Sequence, residues 1–396
     1  MRSIVLTALL VFAAPAWAAQ TDGGSYQMVL GDCRGCHGKN LAGGITLETP
    51  FGRLVTPNIT PDKETGIGNY TGEDFRQAMK NGIAPSNKLL YPAMPYPSYA
   101  RMSDADVAAL WSYLKTIKPV KHRVEVNQLK FPFSLRFLMR GWNLFFFRPA
   151  PYADDPAKTA AWNRGAYLVG GPAHCGACHT PKNFFGADKD VALTGALLEG
   201  WFAPDLTANR DTGLGSWSKE EIVGYLQTGG NAHSIASGPM AEAVENSTSQ
   251  MTSDDLNAIA FYLKDLPASA GHGANGGMDE SLEAQVAAGR ALYDINCAAC
   301  HSRDGKGSKL FPPLSDNANI RQEQPDTIVR IVLAGSKAAA THFAPTGASM
   351  PSLGWKLSDE QVADILSYVR NNWGNRAPAV SPSSVGQIRS ALHSAS

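Results

Sequence analysis

The stretch CRGCH, residues 33–37, returns twice, as CGACH at 175–179 and CAACH at 297–301. These three motifs use all six cysteines of the chain. Only 9 of 396 residues are histidine, so one following each pair by chance has odds on the order of one in 100,000. A redox dithiol would sit between a strand and a helix in a βαβ pattern, and no such pattern precedes any pair. A zinc ribbon would bring two pairs to one metal and would not need the histidines. Covalent haem attachment uses every residue. Two thiols add across the two vinyl groups of one porphyrin, so they stand about one helical turn apart. The next residue then falls under the ring, where its imidazole can bind iron. The expected attachment residues are Cys33 and Cys36, Cys175 and Cys178, and Cys297 and Cys300. The expected proximal ligands are His37, His179 and His301, giving three covalently bound haem c groups.

A second signal lies downstream of each motif. Ser103, Thr252 and Ser358 read as helix N-caps, with Asp106, Asp255 and Gln361 three residues on. Only Ser358 and Gln361 form a strict capping box by sequence; the other two carry Asp in place of Glu or Gln. Each cap opens an amphipathic helix with apolar residues at i, i+3, i+4 and i+7. These are Val107, Leu110, Trp111 and Leu114; Leu256, Ile259, Ala260 and Leu263; and Val362, Ile365, Leu366 and Val369. A tyrosine follows each cap by ten residues: Tyr113, Tyr262 and Tyr368. Helical stretches also precede the motifs. Gly165 and Gly289 there suit close approach by another helix, expected to be the last helix of the same domain.

Three matching helices imply three copies of one module. Copies one and two are the closer pair. TPNITPDKETGIGNYTGEDFRQAMKNG (56–82) aligns without a gap on APDLTANRDTGLGSWSKEEIVGYLQTG (203–229), and a cap follows at Thr71 or Ser218. The third copy has FPPLSDNANI (311–320) instead.

A proximal histidine leaves one iron face open, and in electron-carrier haem domains a methionine fills it. Met350, in SMPSLGW, is the third copy's candidate. Met94, in YPAMPYPSY, and Met240, in GPMAEAV, are preferred in the first and second. Met102 and Met251 compete, but they lie directly before the caps and read as apolar staples. Met28, Met79, Met139 and Met278 read as packing or surface residues, and His233 as a minor candidate for touching a haem edge.

Net charge is zero, with 35 basic and 35 acidic residues, which argues against a nucleic-acid partner. Arg2, the apolar run from Ile4 to Ala14, and Ala16-Trp17-Ala18 read as a cleaved signal peptide. Export fits covalent haem. No other stretch is long and apolar enough to cross a bilayer.

Three longer stretches carry a resemblance: LYPAMPYPSYARMSDADVAALWSYL (90–114), SGPMAEAVENSTSQMTSDDLNAIAFYLKDLP (237–267) and MPSLGWKLSDEQVADILSYVRNNWGN (350–375). With the CxxCH motifs, these make the chain resemble the three-haem cytochrome c subunits of bacterial membrane-bound dehydrogenases. Those enzymes oxidise alcohols, gluconate, sorbitol, fructose or aldehydes at the periplasmic face. The resemblance runs from about residue 22 to 381. It implies an electron-transfer subunit, not a catalyst by itself. Such a subunit takes electrons from a flavin, quinoprotein or molybdenum catalytic subunit and passes them to ubiquinone or an oxidase. It implies a place on the periplasmic face of the bacterial inner membrane. Some family members end in an apolar membrane helix, whereas this chain ends in SPSSVGQIRSALHSAS (381–396).

The expected fold is all-α: three tandem class I cytochrome c-like domains, loop-rich, with short helices around the haems. The expected division is a signal peptide at 1–19, domains at 20–122, 158–267 and 282–375, a linker at 123–157, a flexible spacer at 268–281 and a polar tail at 376–396. Within the linker, FPFSLRFLMRGWNLFFF (131–147) puts Arg136, Arg140 and Asn143 on one helical face. Leu135, Leu138, Met139, Trp142, Phe145 and Phe146 cover the other. That pattern suits a segment lying in a membrane surface, packing between domains or touching the catalytic subunit. Two other functions compete. A multihaem peroxidase-like enzyme needs one haem without a distal ligand, and each copy offers a methionine. A free periplasmic shuttle fits the apolar segment poorly.

Overall fold

The computed structural model describes residues 23–270, 279–308 and 310–395. The expected signal peptide, and residues 271–278 of the spacer with His272 and Met278, lie outside the described residues.

Three helix pairs organise the chain. Gly23–Leu30 packs on Asp104–Leu114, Ala160–Gly170 on Ser253–Asp265, and Glu280–Asn296 on Asp359–Arg370. Each second helix starts where a side-chain oxygen at the N-cap accepts a free backbone N–H: Ser103 from Asp106, Thr252 from Asp255, Ser358 from Gln361. All twelve apolar positions read from the helical period are buried. Their side chains group into three hydrophobic cores, one around each pair. At about 2 kcal/mol per buried large aliphatic side chain, this packing dominates over intrinsic helix propensity.

The crossings are close because glycines sit at the contact. A Cβ built on Gly165 would stand 2.1 Å from the Ala258 carbonyl oxygen and 2.6 Å from the Tyr262 Cβ. On Gly289 it would meet the Asp364 carbonyl at 2.0 Å and the Tyr368 Cβ at 2.8 Å. Gly24 makes the same contact with Ala109, at 2.2 Å, and with Tyr113, at 2.6 Å. The three tyrosines ten residues past the caps are therefore the partners of three glycines.

The loops that align between 56–82 and 203–229 also fold alike. The Asp62 carboxylate accepts from the Glu64 and Thr65 amides, and the Asn209 side-chain oxygen accepts from those of Asp211 and Thr212. Each loop delivers the chain to a capping box, Thr71 with Asp74 and Ser218 with Glu221.

The structure departs from the all-α expectation in four small sheets among the described residues. The largest joins Thr46–Thr49, Gly52–Val55 and Asn127–Leu129, and the other three are two-stranded. Strands of two to four residues are too short to show a period of two in sequence. The stretch expected as a polar tail also differs: Pro382–Ala395 is a helix. Val385 is fully buried in the last core, and the Arg389 guanidinium bonds Asp359 at 2.7 Å and the Leu357 carbonyl at 2.9 Å.

The segment 131–147 is helical only over Leu138–Phe146, and of its polar side Arg136 and Asn143 turn inward while Arg140 stays exposed. Arg136 lies over the Tyr91 ring, 4.7 Å from its centroid, and donates to the Leu89 carbonyl at 2.9 Å. Asn143 accepts from the Tyr96 hydroxyl at 2.6 Å. Arg136 is thus engaged within the protein, because a partly buried guanidinium needs these partners. Apolar side chains face out instead: Leu144 is 71% and Phe145 72% exposed. Phe146 stacks on Phe185, which meets the 80% exposed Phe184 edge-on. No helix among the described residues is long and apolar enough to cross a membrane.

Candidate haem sites

Each CxxCH motif forms about one turn of helix: Cys33–His37, Gly176–His179 and Ala298–His301. The first cysteine of each, Cys33, Cys175 or Cys297, packs against the core of its own helix pair. The second faces further outward, with Cys36 and Cys300 exposed. No two of the six are joined in a disulfide. The histidine closing each turn then meets a proline carbonyl. His37 Nδ1 lies 2.7 Å from Pro57 O, His179 Nδ1 2.7 Å from Pro204 O, and His301 Nδ1 3.1 Å from Pro312 O.

That contact assigns the proton. A carbonyl oxygen only accepts, so Nδ1 carries the hydrogen and Nε2 keeps its lone pair free for a metal. Burial lowers the affinity of all three imidazoles for a second proton, with the carbonyl bond partly opposing it. Three neutral imidazoles, each with a fixed ring and an unprotonated Nε2, make a donor set that suits haem iron.

The alternatives fit less well. Burial pushes the Cys33 and Cys175 thiols up to about 12 and that of Cys297 up to about 11. A redox dithiol needs the opposite shift. No group of three or more His, Cys, Asp or Glu side chains among the described residues is placed to hold a bare metal ion.

The methionines divide by environment. Met102 and Met251 are buried inside the first and middle cores, 1% and 6% exposed. Met94 and Met350 sit half-buried at the edges of the first and last cores. Met240 borders a small cluster of Ala236, Ala241, Val244 and Ala339. Their backbones differ: Met94 is in a turn, Met240 in the helix Pro239–Asn246, and Met350 in the strand Ser349–Met350. Met28 and Met79 are buried in the first core. His233 stacks on Trp217 at 5.2 Å and pairs with Glu221 at 3.1 Å.

The proline carbonyls were not anticipated. Their signal was present, since Pro57 and Pro204 occupy the same place in the aligned loops and Pro312 lies in the segment that replaces them.

The cytochrome c family profile matches residues 24–118, 163–267 and 286–373, one CxxCH motif in each. The chain belongs to the cytochrome c family. As a cytochrome c it carries covalently bound haem. It is 39% identical to the cytochrome c subunit of the quinone alcohol dehydrogenase of Gluconobacter oxydans, over 92% of this chain and 81% of that one. The cytochrome subunit of the fructose dehydrogenase of Gluconobacter japonicus is 40% identical, over 92% and 82%. The cytochrome c subunit of the gluconate 2-dehydrogenase of Pantoea cypripedii is 37% identical, over 98% and 95%.

Proposed function

We propose that this cytochrome c carries three haems and moves electrons from the catalytic subunit of a periplasmic dehydrogenase to a respiratory acceptor, ubiquinone or an oxidase. The observation that carries this reading is the threefold repeat of one clamp: a CxxCH turn whose histidine Nδ1 is held by a proline carbonyl. Bound haem supplies one-electron redox chemistry. The chain's residues supply the rest. Cys33 and Cys36, Cys175 and Cys178, and Cys297 and Cys300 attach the groups. His37, His179 and His301 are the proximal ligands, and Met94, Met240 and Met350 the distal ones. With an imidazole and a thioether both holding it, the haem would have a raised potential and no site for substrate, which separates this reading from a peroxidase. The domains are 20–122, 158–267 and 282–375, the last extended by the helix Pro382–Ala395.

Relatives named as subunits of alcohol, fructose and gluconate dehydrogenases support a dehydrogenase catalytic partner, which we take to be of flavin, quinoprotein or molybdenum type. Copurifying the native complex identifies that partner. Its substrate should then bring up the reduced absorption bands of the cytochrome in the complex and not in the isolated chain. Substrate oxidation by the isolated chain would overturn the reading.

In this reading the chain lies at the periplasmic face of the inner membrane after removal of a signal peptide, and its exposed aromatic surface supports a seat on the membrane. Leu144, Phe145, Phe184 and Phe185 belong to two separate stretches yet form one outward apolar area. Such area buries in a lipid interface, and aromatic residues favour that depth. The apolar area carries the binding, so it should persist in salt, which screens only the exposed Arg140 and Arg148. The purified chain should float with phosphatidylcholine–phosphatidylglycerol vesicles even in 1 M salt, at a Debye length of about 3 Å. The L144S/F145S/F184S variant should stay behind with its haems intact. Unchanged flotation of that variant would mean another surface holds the membrane.

A further inference from the structure

Tyr26 and Tyr167 stand at matching places in two repeats, each two residues past its crossing glycine, Gly24 or Gly165. Each reaches out of its own helix pair into the other. The Tyr26 hydroxyl donates to the Asp255 carboxylate at 2.7 Å and accepts from the Thr252 amide at 3.0 Å. The Tyr167 hydroxyl donates to the Asp106 carboxylate and accepts from the Ser103 amide at 3.2 Å. Residue i of one repeat meets residue j of the other, and the reverse holds. That exchange defines a local twofold axis between the first and middle repeats.

We infer that the first two CxxCH motifs hold a closely coupled haem pair across this axis, and that Tyr26 and Tyr167 are the positioning residues that set the spacing of the pair. The inference rests on the reading that each motif carries one haem. A twofold relation puts the two motifs at equal distances from the axis, and several contacts show that the distance is short. His174, just before Cys175, sets its Nε2 3.2 Å from the carbonyl oxygen of Gly31, two residues before Cys33. Two residues of chain span no more than about 7 Å. Tyr99 donates to that same carbonyl at 3.2 Å and meets the His174 ring edge-on at 5.6 Å. Leu30, 1% exposed at the end of the first repeat's helix, packs in the core of the second.

The same contact explains a departure in the caps. Ser103 and Thr252 have Asp three residues on, where a strict capping box has Glu or Gln. In both, the N-cap amide goes to a tyrosine of the other repeat and the Asp carboxylate receives that tyrosine's hydroxyl. The third repeat has Ala291 at the tyrosine position, and its Ser358 amide is satisfied at 3.0 Å by its own Gln361. It joins the middle repeat through different contacts, such as Gln322 to the Thr212 carbonyl and Thr327 to the Phe202 amide. The pairing device is thus built into two repeats and absent from the third. Electron exchange within such a pair moves one electron from a reduced to an oxidised centre and needs no co-reactant.

Circular dichroism in the Soret band tests this on the exported full chain, because two haems held close and at a fixed angle give a paired positive and negative signal. The wild type should show that couplet. The C297A/C300A variant should keep it, and the C175A/C178A variant should lose it. The Y26F/Y167F variant should keep three haems by mass and at least halve the couplet, and each single variant should weaken it less. The tyrosine variants keep the test decisive should the cysteine variants fail to fold. Three haems with no couplet, or a couplet that vanishes with the third haem, would overturn the pairing while leaving the haem reading intact. A lower melting temperature in Y26F/Y167F with an unchanged couplet would overturn the positioning role. A haem missing by mass from either of the first two motifs would instead overturn the reading beneath it.

Discussion

Gly289 lies so close to the main chain of Asp364 that a Cβ built on it would stand 2.0 Å from that residue's carbonyl oxygen. Alanine favours a helix interior over glycine by about 1 kcal/mol, but forcing a methyl into a packed crossing costs about 1–3 kcal/mol and more where backbone must move. Packing wins here. Gly289→Ala, Gly165→Ala and Gly24→Ala should each lower the melting temperature. Gly141→Ala and Gly224→Ala, whose Cβ positions meet nothing within 4 Å, should leave it unchanged or raise it. Calorimetry of the five variants checks the contrast in sign.

Arg370 is fully buried without a carboxylate, and its guanidinium donates to the carbonyls of Pro378, Ile320 and Glu323. Burial draws its pKa down to about 10, which leaves it charged at neutral pH. Arg370→Met fills similar volume and leaves three acceptors bare, at about 1 kcal/mol or more each. A denaturant titration of the last repeat should show a loss of about 3 kcal/mol. Arg370→Lys, lacking the planar fork, should recover only part of it.

Acid should loosen the joint between the first two repeats. Burial alone would raise the Asp255 carboxyl, but the Arg164 guanidinium, at 2.7 and 2.8 Å, and the Tyr26 hydroxyl outweigh it and hold it below 3.8. A depressed carboxyl contributes stability that is present above its unfolded pKa and lost as pH falls through its folded one. Asp255→Asn should therefore melt earlier than the wild type at pH 7, and the gap should begin to narrow below about pH 4 and shrink further as pH falls. A gap that stays constant to pH 2 would remove the ion pair from the account.

The distal ligands can be read from the methionine-to-iron band at the red end of the oxidised spectrum. Met94→Leu, Met240→Leu and Met350→Leu should each remove about a third of it, one haem in three. Met102→Leu and Met251→Leu, nearly volume-conserving swaps inside cores, should cost less than about 1.5 kcal/mol and leave the band whole. Loss of the band on Met102→Leu would move the ligand in the first repeat.

The haem chemistry was legible because covalent attachment is written in adjacent residues, and the last helices because a cap and a 3.6-residue period are local. Gly165 and Gly289 could be singled out, but Gly24 emerged only from its contact with Ala109. What escaped was long-range. Nothing near Tyr26 says that its hydroxyl will meet Asp255, 229 residues away. Arg136 looked solvent-facing on a helical wheel, yet it lies ahead of the helix Leu138–Phe146, and Tyr91 and the Leu89 carbonyl draw it inward. The helix Pro382–Ala395 was legible and was missed among its serines: Val385, Ile388 and Leu392 follow an i, i+3, i+7 period and pack on the last core.

The count and location of covalent haem test the central claim most directly. Peptide mass spectrometry of the exported chain should show one haem on each of the three fragments that contain Cys33 and Cys36, Cys175 and Cys178, and Cys297 and Cys300. A motif with free thiols, a disulfide or bound zinc in the mature protein would contradict it.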